Sequence, residues 1–302
     1  IGDKKTPKNF SLKYGNYYSF QDQKKLNFKF SKICPPNSYA RKNIGYLISF
    51  LENDIIIETD DDNYPKKGFF LDRTNIHKTK KIENKSWINI YKIFNKNKEI
   101  IWPRGLPLDE IDSNKIKISK TKKLGQFSLQ QGVADTNPDV DAIFRIANKR
   151  INIKFKSKKI NLGKSLSTFN SQNTTWFKDI FPLMYLPVTC PMRCTDIWRS
   201  LVVLKIMKTN RQNILFFGTD MYQKRNAHNL LDDFEQEIKL YLHDKTIFKL
   251  LDQLKLRIGE KHYLQNLKIC YSTLIMHKFL DKSEMKYLNA WIYDCKKILQ
   301  KK

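Results

Sequence analysis

The stretch Ile55-Ile-Ile-Glu-Thr-Asp60-Asp61-Asp62-Asn63-Tyr64-Pro65 joins a continuous β-branched run to three consecutive carboxylates, an amide and a proline. Because the run does not alternate with polar residues, it predicts a strand buried on both faces, as in a parallel sheet. Ligands of open α/β sheets bind beyond the carboxyl ends of such strands. Asp60, Asp61 and Asp62 are therefore predicted to lie at a ligand site.

The three carboxylates predict a metal site. Neighbouring carboxylates repel one another by about 1 kcal/mol per pair at ~4 Å even in bulk water. A divalent cation removes this repulsion, and a set of oxygen ligands favours Mg²⁺ or Mn²⁺ over zinc. The alternative is a solvated acidic turn before Pro65, because Asp, Asn and Pro all favour turns.

Length and composition bound the class of protein. The 302 residues, 41% of them hydrophobic, suit one large α/β domain with an appendage or two modest domains. No apolar run approaches the ~20 residues that a membrane-spanning helix needs. Five cysteines are too few for a disulfide framework, and they lack the spacing of a zinc site.

The net charge of +26 raises the question of an anionic partner. Lys outnumbers Arg 46 to 10 and is scattered along the chain, whereas nucleic-acid sites favour the planar fork of Arg. These features argue against a nucleic-acid partner. They leave open a peripheral contact of the lysines with a membrane or with an acidic glycan.

Residues 38–51 predict a helix, with Ser38 as a possible N-cap and Ile44, Leu47, Ile48 and Leu51 on one face. The helix start carries Arg41, Lys42 and Asn43, which suit a phosphate or a base at a helix N-terminus. The alternative is an ordinary amphipathic helix with solvated basic residues. Short strands are predicted at 87–94, 116–118, 140–146 and 151–155.

Four further groups of polar residues are candidate site residues. Asp139 and Asp141 would face one side of an extended segment, where they could contact a sugar hydroxyl or a metal, or close an Asx-turn. Asp196 either caps a helix that runs through Leu201, Leu204 and Ile206 or acts as a general base. An amide cluster (Asn170, Gln172, Asn173) is typical of carbohydrate or base contacts and also of polar loops. His228 alone is more often structural than a ligand.

The chain changes character after Tyr222. Apolar residues recur at helical spacing over 226–256 and 262–300 (among them Leu230, Leu231, Phe234, Ile238, Tyr241 and Leu242). We therefore predict two domains, an α/β domain at 1–221 and a helical C-terminal extension at 222–302 packed on it.

Nine motifs in the order 2–7, 39–46, 58–63, 102–105, 130–135, 138–145, 169–173, 195–199 and 225–231 resemble one family. Examples are Trp102-Pro-Arg-Gly105, Gln130-Gln-Gly-Val-Ala-Asp135, Thr195-Asp-Ile-Trp-Arg199 and Arg225-Asn-Ala-His-Asn-Leu-Leu231. Taken together they resemble the STELLO-type family of glycosyltransferases. The resemblance covers roughly residues 1–245, and the last sixty residues carry no motif of the family.

The resemblance implies a GT-A-like fold, an α/β nucleotide-diphospho-sugar transferase sandwich in which an Asp-rich strand end holds Mn²⁺ or Mg²⁺ against the donor diphosphate. On this pattern the metal ligands are Asp60, Asp62 and His228, and the catalytic carboxylates are Asp196 first, then Asp141 or Asp139. The donor would contact the motif residues Gly2, Asp3, Arg41, Lys42, Asn43, Asp61, Asn63, Arg104, Arg145, Asn170, Gln172, Asn173, Trp198 and Arg199.

The function that the resemblance implies is metal-dependent transfer of a sugar from a nucleotide diphosphate sugar to a glycan or other hydroxyl acceptor. The alternatives are a catalytically idle GT-A-like partner of a polysaccharide-synthesis complex, and a basic nucleic-acid protein. A microbial chain would work in the cytoplasm or at a membrane surface. A eukaryotic chain with an upstream anchor would work in the Golgi lumen.

Overall fold

The computed structural model describes residues 1–71, 73–96, 100–112, 115–148 and 151–301. Within these ranges the helices are α1 Phe20–Lys25, α2 Lys29–Ile33, α3 Lys42–Glu52, α4 Tyr91–Phe94, α5 Ala142–Ala147, α6 Thr195–Thr209, α7 Leu230–Asp252, α8 Tyr263–Met276 and α9 Glu284–Leu299. The strands are β1 Ile55–Thr59, β2 Asn63–Pro65, β3 Ile76–Lys81, β4 Lys123–Gln126, β5 Leu129–Gly132, β6 Lys159–Asn161, β7 Asn173–Phe177, β8 Ile214–Phe217 and β9 Met221–Gln223.

Seven of the strands form a central mixed sheet in the order β1-β7-β5-β8-β6-β3-β4. The pairs β5–β8 and β3–β6 are parallel, and the other neighbours in this sheet are antiparallel. A separate antiparallel pair joins β2 to β9, with Tyr64 opposite Tyr222. The chain is thus a mixed α/β protein, which confirms the predicted class in its coarse form.

The position of β1 corrects the first prediction. β1 is an edge strand that pairs antiparallel with β7. Its burial alternates, since Ile56 and Glu58 are buried whereas Ile55 and Ile57 are partly exposed. The prediction of a strand buried on both faces of a parallel sheet was wrong, because β1 packs on α3 with one face and borders an open cavity with the other.

Helix α3 confirms the helix predicted at 38–51, with a 3-10 turn over Tyr39–Arg41 before it. Ile44 and Leu47 are fully buried on its inner face, whereas Leu51 is exposed. The Ser38 side chain makes no capping hydrogen bond. The amphipathic pattern therefore located the helix, but the cap was wrong.

Two predicted strands form short helices in part: the end of 87–94 is α4, and most of 140–146 belongs to α5. Asp141 decides the second case, because its carboxylate accepts a hydrogen bond from the Phe144 amide at 2.8 Å and starts α5. Residues 116–118 and 151–155 contribute isolated bridges in place of strands.

Helix α6 confirms the helix predicted through Leu201, and α7, α8 and α9 confirm helical structure after Tyr222. The segment 262–300 holds two helices, α8 and α9, because the chain turns after Met276, where Lys278 adopts a φ of 61°. α7 packs on α5 and α6, and α9 packs on α2 and α3. None of the described helices is long and apolar enough to cross a membrane.

The buried face of α7 also differs from the prediction. Leu231 and Leu242 are 70% and 64% exposed, whereas Asp233, Glu237 and Asp244 are buried. Each buried acid has a partner, since Asp233 and Glu237 bind arginines and Asp244 accepts from the Trp198 indole. Apolar spacing failed here because ion pairs, and not apolar side chains, dock the first half of α7.

Candidate functional site

A cavity of about 940 Å³ opens beside the edge strand β1. Its wall is built from the N-terminus, the start of α3, the turn after β1, the loop before α5, the start of α6 and the segment before α7. The cavity brings together many residues predicted for the site, namely Gly2, Asp3, Arg41, Lys42, Asp60, Asp61, Asp62, Arg104, Asp139, Gln172, Asp196 and His228.

The other predicted residues lie outside the described cavity wall and have structural partners. Asn43 exchanges two hydrogen bonds with the Leu186 backbone, Asn63 donates to the Gln172 carbonyl, and Asn173 donates to Asp220. Trp198 donates to Asp244, and Arg199 binds Glu58 at 2.7 Å in the core.

Three of these outlying residues lie on the loop around α5 or next to it. Arg145 donates to Asn137 and to the Pro138 carbonyl. Asn170 donates to Asp139 at 2.8 Å and so supports a cavity residue from behind. Asp141 caps α5 and accepts from the Trp102 indole at 2.6 Å. Asp139 and Asp141 therefore do not face one side of an extended segment, and the predicted geometry was wrong.

The acidic turn after β1 gives each carboxylate a different surrounding. Asp60 Oδ1 accepts from Lys42 Nζ at 2.6 Å and from the Tyr39 hydroxyl at 3.0 Å. Asp61 is exposed. Both oxygens of Asp62 lie 2.9 Å from Gln223 Nε2, on β9. The turn is thereby held between α3 and the β2–β9 pair, with its carboxylates at the cavity.

Lys42 supplies a cation inside this acidic group. Burial would lower the pKa of Lys42, but the nearby Asp60 carboxylate outweighs burial and raises it above the ordinary value. Lys42 therefore stays charged at neutral pH. Both contacts of Asp60 use Oδ1, so Oδ2 has no hydrogen bond from the described residues.

A divalent metal at the turn stays a prediction. Over the described residues no group of three or more His, Cys, Asp or Glu side chains is arranged to hold a metal ion. His228 also lines the cavity, and its Nδ1 is 3.4 Å from Asp233 Oδ1. The chemistry of the oxygens at Asp60, Asp61 and Asp62 nevertheless suits Mg²⁺ or Mn²⁺.

Arg104 joins the two carboxylates that we predicted as general bases. Its Nε and Nη2 each donate to Asp139 at 2.9 Å, and its Nη1 and Nη2 each donate to Asp196 at 2.9 Å. Ser171 adds two donors to Asp196 at 3.3 Å. All three charged residues are buried. Bidentate pairing of this kind fixes the carboxylates in one orientation.

Asp139 is a poor candidate for the general base. Burial raises the pKa of Asp139, but the Arg104 guanidinium outweighs it and holds this pKa at about 2. A carboxylate of such low pKa takes up a proton poorly at neutral pH. Of the two carboxylates that border the cavity, Asp196 therefore stays the candidate for the general base.

Part of the cavity wall, which we call the basic wall, contains Arg193 and Arg225, which sequence reasoning left without a role. Arg193 Nε lies 2.5 Å from Glu237 and 3.6 Å from Asp233, and Arg225 Nη2 lies 2.6 Å from Asp233. Together with His228 these side chains line the cavity. The order of the motif 225–231 carried the signal for Arg225, whereas Arg193 lies outside every motif that we recognised.

Arg193 has an unused donor. Its Nη2 is buried and has no hydrogen-bond partner among the described residues. A buried guanidinium nitrogen without a partner costs free energy, about 1 to 3 kcal/mol, unless a ligand or water accepts its proton. Its position at the cavity wall suits an anionic group such as a phosphate.

Fold and cavity define a mixed α/β protein with a ligand cavity at a sheet edge, and the cavity wall carries both carboxylates and arginines. A family model described as STELLO glycosyltransferases matches residues 193–301. The C-terminal part of the chain is therefore similar to the STELLO glycosyltransferases.

Two relatives from Arabidopsis thaliana extend the match. The chain is 24% identical to "Probable glycosyltransferase STELLO2" over 97% of its own length and 40% of that protein. It is 28% identical to "Probable glycosyltransferase STELLO1" over 66% of its own length and 28% of that protein. The chain thus spans less than half of either relative.

The matched ranges correct one expectation. We assigned the resemblance to residues 1–245, with no family motif in the last sixty. The family model includes α8 and α9, and the match to STELLO2 covers nearly the whole chain. The family resemblance of the C-terminal helices was missed because these helices carry few polar motifs. Their apolar faces and solvated charges leave no short sequence signature.

Proposed function

We propose that the chain is a glycosyltransferase that moves a sugar from a nucleotide diphosphate sugar to a hydroxyl acceptor in a GT-A-like site. The observation that carries the proposal is the cavity beside β1. It gathers the acidic turn at Asp60–Asp62, the Arg104 group and the basic wall of Arg193, Arg225 and His228 from segments that are far apart in the chain. The names of both Arabidopsis relatives agree with this class of enzyme.

The charged groups of the cavity suit the diphosphate of the donor and its metal. Asp60 and Asp62 would hold Mn²⁺ or Mg²⁺, which supplies a Lewis acid to the departing diphosphate when bound. Arg193 and Arg225 donate to phosphate oxygens, and the unused Nη2 of Arg193 provides the first of these donors. His228 joins the basic wall as a phosphate or metal contact.

Asp196 serves as the general base in this proposal. The acceptor hydroxyl loses its proton to the Asp196 carboxylate while its oxygen forms the bond to the sugar and the bond to the diphosphate breaks. Arg104 orients Asp196 through two hydrogen bonds, and Asp139 positions Arg104 from the other side. Asp141 caps α5 outside the cavity and takes no part in proton transfer.

Both predicted domains contribute to the site. Residues 1–221 supply the nucleotide-sugar domain with the acidic turn. The helical extension at 222–302 supplies Arg225 and His228 and, through Asp233 on α7, fixes their positions.

The test is turnover of a panel of nucleotide diphosphate sugars with Mn²⁺ or Mg²⁺, measured as release of the nucleoside diphosphate. The variant Asp62→Asn removes one charge from the acidic turn, and Asp109→Asn is its matched control on an exposed 3-10 turn outside the cavity. We expect at least one donor to be turned over, and Asp62→Asn to lower the rate at least about 100-fold, as loss of an electrostatic contact in an active site does. Equal rates for Asp62→Asn and Asp109→Asn would contradict the proposal.

A second function follows from the Lys42–Asp60 pair. A charged Lys42 already neutralises one carboxylate of the turn. The chain would then be a partner protein that binds a nucleotide without a metal and without turnover. Thermal stabilisation by a nucleotide that is unchanged on chelation of metal, with no donor hydrolysed, would favour this idle partner over the enzyme.

A further inference from the structure

The sheet edge that lies opposite the cavity carries an unbalanced positive charge. Strand β4 forms this edge, with β3 and β6 next to it. The segments around these strands contain no Asp or Glu at 73–82, 113–134 or 142–178. Carboxylates are therefore missing from the sequence itself over most of this edge.

The lysines of these strands are exposed. Lys78, Lys80 and Lys81 lie on β3, and Lys120, Lys122 and Lys123 lie on β4 or the turn before it. None of the six forms an ion pair with any part of the chain that the structure describes. We call these six residues, with the apolar Ile76 and Leu124, the β3–β4 face.

Lys78 and Lys80 share one side of the hairpin with exposed apolar residues, whereas Lys81 and Lys123 lie on the side of Thr79. Ile76 pairs with Gln126 and Lys78 pairs with Leu124, so these cross-strand partners point to the same side. Leu124 is 73% exposed and Ile76 is 54% exposed. On the other side Thr79 is buried and donates to the Lys159 carbonyl, whereas Lys81 and Lys123 are exposed at the edge.

Nearby acids do not neutralise this face. Glu83 follows β3 as an exposed carboxylate, and Asp220 is engaged by Arg73 at 2.5 Å. Within the same edge the charges repel, since burial and Lys156 together lower the pKa of Lys158. An external anionic surface would relieve this repulsion.

We propose that the β3–β4 face binds an anionic lipid surface. Lysines attract anionic headgroups, and exposed aliphatic side chains among them enter the boundary between headgroups and acyl chains. Nucleic acid fits this face less well, because it offers no arginine or aromatic ring for phosphate forks or base stacking. The proposal does not depend on the glycosyltransferase activity.

Docking at this edge leaves the cavity open. Six strand spacings separate β4 from β1, so at about 4.8 Å each the cavity lies roughly 25 to 30 Å from the lipid-binding edge. A protein held in this way presents its cavity to the aqueous phase above the membrane surface.

The test is flotation of the protein with vesicles of phosphatidylcholine alone or with 30 mol% (about one lipid in three) phosphatidylserine, at low and at physiological salt. The charge variant is Lys78→Glu, Lys80→Glu, Lys122→Glu and Lys123→Glu combined. Its matched control changes four exposed lysines of the C-terminal helices and their turn, Lys249, Lys268, Lys282 and Lys296, to Glu. Both variants change net charge equally, and thermal unfolding checks that each is folded.

We expect the protein to bind the anionic vesicles and not those of phosphatidylcholine alone. The β3–β4 variant should lose at least about 100-fold in partitioning, and the control less than about 5-fold. Leu124→Ser should lower partitioning several-fold without changing its salt dependence. The proposal would be overturned if the two charge variants lost equal amounts of partitioning. It would also be overturned if Leu124→Ser left partitioning unchanged and the protein bound duplex DNA more tightly than vesicles.

Discussion

Arg104 is the residue on which the buried charges of the cavity depend. Its guanidinium pairs with Asp139 and Asp196 at once, and the side chains of all three are at most 10% exposed. Removing one partner of a buried ion pair leaves an uncompensated charge, which costs about 3 to 5 kcal/mol. The Pro103 and Gly105 neighbours of Arg104 hold the backbone that delivers this side chain.

We therefore expect Arg104→Ala to lower the free energy of unfolding by at least about 3 kcal/mol at pH 7, because Asp139 and Asp196 lose their shared cation. Urea unfolding measures the change. Arg257→Ala is the control, since Arg257 is exposed and should stay within about 0.5 kcal/mol of the wild type. A loss for Arg104→Ala no larger than that of the control would show that the carboxylates do not need the guanidinium.

Asp141 gives a pH-dependent prediction. Burial raises the pKa of Asp141 to about 6 from 3.8, although the Phe144 amide and the Trp102 indole favour the charged form. Between these two pKa values the folded protein holds a proton that the unfolded chain has lost, so stability decreases as the pH rises. The shift of about two pK units corresponds to a loss on the order of 3 kcal/mol.

The variant Asp141→Asn cannot titrate, so its stability lacks this contribution. We expect the wild type to lose stability relative to Asp141→Asn between pH 4 and pH 7, measured by urea unfolding at each pH. An advantage of the wild type that stays constant or grows over this interval would contradict the raised pKa.

At the scale of elements, the turn at Gly105 explains why the motif Trp102-Pro-Arg-Gly105 ends in glycine. Gly105 has a φ of 82°, a backbone conformation that residues other than glycine rarely adopt. A Cβ at this position would lie 2.5 Å from Ile197 on α6 and 3.0 Å from Thr168 Oγ1. The close approach lets α6 bring Asp196 to Arg104.

Gly105→Ala should therefore destabilise the fold by about 2 to 4 kcal/mol, through backbone strain and the clash with Ile197. The measurement is again urea unfolding at pH 7. Gly15→Ala provides the control for strain alone, because Gly15 has a φ of 92° and nothing within 4 Å of an added Cβ. An effect of Gly105→Ala no larger than that of Gly15→Ala would remove the argument for close packing.

The elements also show what local sequence could and could not predict. Helices α3 and α6 followed from periodic apolar residues, because each presents one consistent pattern to the core. The helix at 142–147 was read as a strand, since six residues are too short for a helical period and the decisive contact is the Asp141 cap. β5, β7 and β8 were missed, because β5 and β7 bury polar residues such as Gln130 and Thr174 that only tertiary partners satisfy.

Some residues of the candidate site could likewise be predicted from the sequence, and others could not. Asp60–Asp62, Arg104 and Asp196 were recognised because short motifs carry them, and the structure brings them to one cavity. Arg193 and Asp233 were missed, since their roles come from a contact between α7 and the 3-10 turn over Met192–Cys194. Residues such as Asn43 and Arg199 have polar side chains in recognised motifs, yet their partners lie in the core.

At the scale of the whole molecule, the charged groups lie in two separate regions of the sheet. The acidic turn and the basic wall lie together in the cavity beside β1, whereas the unpaired lysines of the β3–β4 face lie at the other end of the sheet. This separation keeps the anion-binding surface away from the cavity. The large net charge thus reflects one exposed edge as well as scattered surface lysines.

The central claim is that the acidic turn binds a metal together with a nucleoside diphosphate. The most direct measurement is calorimetric titration of uridine and guanosine diphosphate into the wild type and into Asp62→Asn, each with Mn²⁺ and with a chelator. We predict that at least one nucleotide binds at least about 10-fold more tightly with Mn²⁺, and that Asp62→Asn abolishes this difference. Equal affinities with and without Mn²⁺ for both nucleotides, or a gain from Mn²⁺ that Asp62→Asn retains in full, would contradict the account.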